Sequence, residues 1–106
     1  MTESRTVVEI THTARKRLDQ LGPAAASAVE ELREELEHVQ HLGRRVRVLD
    51  QGAEVWVTRI EARAECPALS VTYVYLPRPA PPTGAIVSVV PDDGRNDGLG
   101  PSEATP

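Results

Sequence analysis

At Gly43 the hydrophobic period of the chain changes from 3.6 residues to 2, which limits the fold to helices followed by strands. Before that point Ala14, Leu18 and Leu21 recur at spacings of four and three. Val29, Leu32, Leu36 and Val39 follow at three, four and three, and Leu42 extends them. Residues so spaced share one helix face. Arg15, Lys16, Arg17 and Asp19 fall mainly outside the first stripe, and Glu30, Glu31, Glu34, Glu35 and Glu37 largely surround the second. Thr11 or Thr13 supplies the first N-cap. Gly22 and Pro23 divide the helices, because the missing N–H of proline costs nothing in an opening turn. The second helix is expected to reach Leu42 and to end on Gly43, giving a helical hairpin.

Strand patterns flank the hairpin. Residues 6–10 are rich in β-branched side chains and read as a first strand. After Gly43, Arg45, Arg47 and Leu49 alternate with Val46, Val48 and Asp50. Gln51 and Gly52 then make a turn into residues 54–60, a hairpin pattern. Residues 69–76 and 85–90 read as two more strands, joined through the proline-rich run 77–82, whose fixed φ and missing donors make it an extended connection. The order β-α-α-β-β-β-β predicts an α+β fold, with the hairpin on one face of a small, mainly antiparallel sheet. Residues 1–91 read as one domain. Residues 92–106, with Leu99 as their one large aliphatic side chain, read as a disordered tail.

Length and composition narrow the function. A chain of 106 residues fits one domain. Its aromatic side chains are Trp56, Tyr73 and Tyr75, with no Phe, so the core is aliphatic and small. A net charge of -4 argues against broad attraction to nucleic acid or anionic lipid, though not against a local basic patch. A single cysteine, Cys66, excludes an internal disulfide and a multi-cysteine zinc site. His38 and His41, beside Glu34 and Glu37 on the expected helix, are too few ligands to argue for a metal, and no cofactor is implied. No apolar run has the ~18–20 residues of a membrane span, and no signal peptide is legible, so a soluble cytoplasmic chain is expected.

Several side chains fall in an order that resembles the RelE/ParE family of bacterial toxins from toxin-antitoxin pairs. These are residues 8–11 with Ala14, Leu18 and Leu21, the second helix closed by Gly43, and a basic strand ending at Leu49. Residues 55–60, similar to the family's Trp-x-x-Arg strand, and residues 71–73 complete the set. The resemblance spans roughly residues 7–90. It implies a cognate antitoxin as partner. In the ribonuclease branch it implies messenger RNA on the ribosome as substrate, held by basic residues while the 2′-hydroxyl attacks the phosphate.

Fixed guanidinium groups suit that chemistry, because negative charge accumulates on the phosphorane. By resemblance, Arg59 matches the arginine of the Trp-x-x-Arg strand, and Arg47 and Tyr73 complete a candidate catalytic set. Arg44, Arg45, Arg47, Arg59 and Arg63 form a candidate nucleic-acid surface. Arg45 and Arg47, two apart, are expected on one strand face. Ser70 stands where the family has a second arginine, and Asp92 and Asp93 follow the last strand, which implies weakened or absent nuclease activity. The alternatives are a non-enzymatic, protein-binding relative, either directed at DNA gyrase or regulatory, and a small structural or oligomeric protein. The plainer reading of Arg45, Arg47 and Arg59 is a solvated strand face with cross-strand partners such as Glu54 or Glu61.

Overall fold

The computed structural model describes residues 6–39, 41–78 and 81–92. The expected tail beyond Asp92 lies outside them. Element order is β1 (Val7–Ile10), α1 (His12–Leu21), α2 (Pro23–His38), β2 (Arg44–Val48), β3 (Glu54–Ile60), β4 (Leu69–Leu76) and β5 (Thr83–Pro91). The α+β order matches the expectation. The five strands form one sheet in the order β1-β5-β4-β3-β2. β1 runs parallel to β5, and the other three pairings are antiparallel.

Local chemistry explains the helical hairpin. Thr11, rather than Thr13, caps α1: its Oγ1 accepts from the Ala14 backbone N–H at 3.3 Å. Gly22 joins the helices at φ 103°, and Pro23 opens α2. Both stripes face the sheet. Ala14, Leu18, Ala28, Val29 and Leu36 pack on Val8, Leu69, Val71, Tyr73, Ile86 and Val89. β4 alternates buried with half-buried or exposed residues along its length, so one sheet face lies under the helices and, among the described residues, no element covers the other. Arg33 ties α2 to β1. Its Nε donates to Glu30 Oε2 at 2.7 Å, and its Nη1 donates to Glu37 Oε2 at 2.8 Å and to the Val8 carbonyl at 3.3 Å.

The end of α2 departs from the sequence reading. The helix stops at His38, the C-cap residue Val39 turns to extended backbone, and Val39 is exposed. Leu42 and His41 are therefore not helical, and Gly43 is not the terminator. Gly43 instead lies at φ 91° against β3, where a Cβ would collide with the Val57 carbonyl oxygen and stand 2.7 Å from Thr58 Cβ. Only a residue without a side chain lets this connection cross β3 so closely.

Candidate binding site

Backbone register decides which arginines meet. Arg45 stands opposite Trp56 and Arg47 opposite Val55, with Val46 the extra residue of a bulge. Trp56 and Val55 are neighbours on β3 and point to opposite faces, so Arg45 and Arg47 do too. The expectation that they share a face is corrected: one inserted residue cancels the period of two. Arg45 lies on the helix-covered side, 3.8 Å from Glu54. Arg47, Arg44 (opposite Val57) and Arg59 (opposite Ser70) lie on the uncovered side.

Carboxylates already engage Arg59. Its Nη1 is 3.4 Å from Glu61 Oε2, and its Nε is 3.3 Å from Asp92 Oδ2. Arg63 lies in the connection after β3 and reaches Glu31 of α2 at 2.9 Å. The candidate nucleic-acid set is thus divided among two sheet faces and a loop.

Tyr73 is separated from Arg47 and Arg59 by the sheet itself. It is 2% exposed under the helices, and its hydroxyl donates to the Leu42 carbonyl at 2.6 Å. Burial pushes its phenol up to about 12, against the opposing effect of that hydrogen bond and with a further upward push from Glu54. A buried phenol on the wrong face, holding its proton, is not placed to act with these arginines. The structure does not bring Tyr73 together with Arg47 and Arg59.

The aromatic side chains do converge. Trp56 stacks on His41 at 4.9 Å and 22°, and His41 meets Tyr75 edge-on at 4.8 Å. Trp56 and Tyr73 lie 6.4 Å apart. Glu54 accepts from Trp56 Nε1 at 3.0 Å and approaches His41 Nε2 at 4.0 Å. Alternation along β4 foretells the shared face of Tyr73 and Tyr75, and the β3–β4 register brings Trp56 to the same face. Nothing in the sequence signals His41, which arrives from a loop at φ 69°.

Beside this cluster, α2 and the end of β3 enclose a cleft of about 450 Å³. β2 pairs with β3 only as far as Val57, so the edge of β3 beyond is free of β2. The crossing at Leu42 and Gly43 walls one end of the cleft. Ala28, Leu32, Leu42 and Ile60 supply apolar lining. Glu31, Glu35 and Glu61 supply carboxylates, with Arg59 and Arg63 at the rim. Glu31 and Glu35 are one helical turn apart and so share a side. Among the described residues no group of three or more His, Cys, Asp or Glu is placed to hold a metal ion, and no helix is long and apolar enough to cross a membrane.

No family model, curated protein or solved structure matches the chain. The RelE/ParE likeness therefore rests on the residues quoted for it and on the α+β order of elements.

Proposed function

We propose that the chain is a non-catalytic protein-binding module on a RelE/ParE-like scaffold, taking a basic amphipathic segment of a partner into the cleft between α2 and β3. The cleft carries this reading: an apolar lining beside three carboxylates, Glu31, Glu35 and Glu61, against two arginines, Arg59 and Arg63, in a chain of net charge -4. Apolar side chains of the incoming segment bury against the cleft's apolar lining, and its Lys or Arg side chains meet Glu35 and compete with Arg63 and Arg59 for Glu31 and Glu61. Three observations support binding without cleavage: Ser70 opposite Arg59, two carboxylates on Arg59, and Tyr73 under the helices.

Two measurements test it. Added to a purified translation reaction, the full chain leaves messenger RNA intact; cuts mapped within codons and lost in Arg59→Ala overturn the reading. Titrated with an amphipathic helical peptide that carries Lys and Arg on one face, the chain binds, and Glu35→Lys with Glu61→Lys weakens binding about tenfold or more. Unchanged affinity in that double variant removes the cleft from the interface.

A further inference from the structure

The helical hairpin covers one face of the sheet. On the other, Val7 is 50% exposed and Val90 43%, while Val55, Val57 and Val74 are half-buried. One row crosses all five strands of this face. Glu9 pairs with Ala85, Ala85 with Val74, Val74 with Val55, and Val55 with Arg47. Directly opposed residues point to the same side, so the row reads acid, three small apolar side chains, base. Its midpoint, Val74, lies on the central strand. Neither Glu9 nor Arg47 makes an ion pair with a described residue.

We propose that this face packs against the same face of a second copy of the chain, about a two-fold axis running along β4. That rotation turns the row end for end. Glu9 then stands over the partner's Arg47, Arg47 over the partner's Glu9, and Val74 meets the partner's Val74. Aligned sheets stack about 10 Å apart, a gap that an opposed Glu and Arg span together. A two-fold across the strands instead sets Glu9 against the partner's Glu9 and Arg47 against the partner's Arg47. The charges of the row therefore select the first arrangement. Arg44 lies one row beyond the end of β1 and stays at the rim, and Arg59 keeps its own carboxylates.

The size of the face is compatible with a dimer. Five strands at about 4.8 Å and six residues at about 3.3 Å give roughly 500 Å² per copy in projection. Both copies together bury about 1,000 Å², the lower limit of a specific interface. The face is opposite the α2–β3 cleft, so the dimer stands or falls independently of partner binding there.

Analytical ultracentrifugation of the full chain from about 1 to 200 μM tests the proposal. The wild type is expected to sediment as a dimer at the upper end. Val74→Lys is expected to be monomeric with an unchanged circular dichroism spectrum. Glu9→Lys and Arg47→Glu, both at exposed positions, each weaken the dimer about tenfold or more, and the two combined restore it. A chain that stays monomeric throughout overturns the proposal. So does a dimer indifferent to Val74→Lys, or a charge-swapped double variant no better than its singles.

Discussion

The Tyr73 hydroxyl donates a 2.6 Å hydrogen bond to the carbonyl of Leu42, 31 residues upstream. It joins the central strand to the segment that crosses β3. Tyr73→Phe removes the donor and leaves that carbonyl without its partner, which is expected to cost about 1–2 kcal/mol in urea denaturation. The same variant should leave messenger RNA integrity in a translation reaction unchanged, since the phenol faces away from Arg47 and Arg59.

Alkaline pH should weaken the fold through the same residue. The Tyr73 phenol titrates at about 12 when folded, against 10.0 for a free phenol, mainly because it is buried. Between those values the unfolded chain releases the proton and the folded chain keeps it. The folded state then binds more protons, and stability falls as pH rises. Its contribution is complete below pH 10 and is lost on the way to pH 12. Urea midpoints at about pH 8, 10 and 11 should decline for the wild type and decline less for Tyr73→Phe. Tyr75, also raised by burial, accounts for part of the remaining slope.

Gly43 and Gly52 make a matched pair. Both hold positive φ, at 91° and 89°, but a Cβ on Gly52 meets nothing within 4 Å. Gly52→Ala should cost only the backbone preference, about 1 kcal/mol. Gly43→Ala adds a collision with β3 backbone and should cost about 3 kcal/mol or more. Equal thermal midpoints for the two variants would refute the close crossing.

Arg33 offers a test of the link between α2 and β1. Its guanidinium reaches Glu30, Glu37 and the Val8 carbonyl together, and the hydrogen bond to Glu30 is the main influence raising its pKa. A lysine ammonium lacks that planar fork. Arg33→Lys should therefore lose about 1 kcal/mol, discounted for the partial solvent exposure of the pair. Hydrogen exchange should quicken in β1 before β4.

Trp56 is the one tryptophan of the chain, so its emission reports the aromatic cluster directly. His41→Ala uncovers one face of the indole. The expected result is a red-shifted emission maximum with a stability change below about 1 kcal/mol, since the lost pair is partly exposed. An unshifted spectrum would mean that His41 does not cover the ring.

Periodicity made the order of elements legible, because burial of one helix or strand face writes itself into nearby residues. Val29, Leu32 and Leu36 announced α2, and Leu69, Val71, Tyr73 and Tyr75 announced the covered side of β4. The shared face of Tyr73 and Tyr75 follows from the same alternation, whereas that of Trp56 and Tyr73 depends on the β3–β4 register. The stopping point of α2 did not, since Val39 and Leu42 continue the apolar spacing after the backbone has left the helix. Of the arginines, Arg45 meets Glu54 across the β2–β3 pair, as the plainer reading expects, whereas Arg59 meets Glu61 two residues along its own segment.

Local sequence alone determined that a helical hairpin separates one strand from four, because each of those choices is made by neighbours within a turn or a strand. Tertiary structure decided the rest. The insertion of β5 between β1 and β4, the bulge at Val46 that parts Arg45 from Arg47, and the arrival of His41 on Trp56 depend on residues distant along the chain. Strand register is a property of two segments at once, and a shift of one residue sends a side chain to the other face.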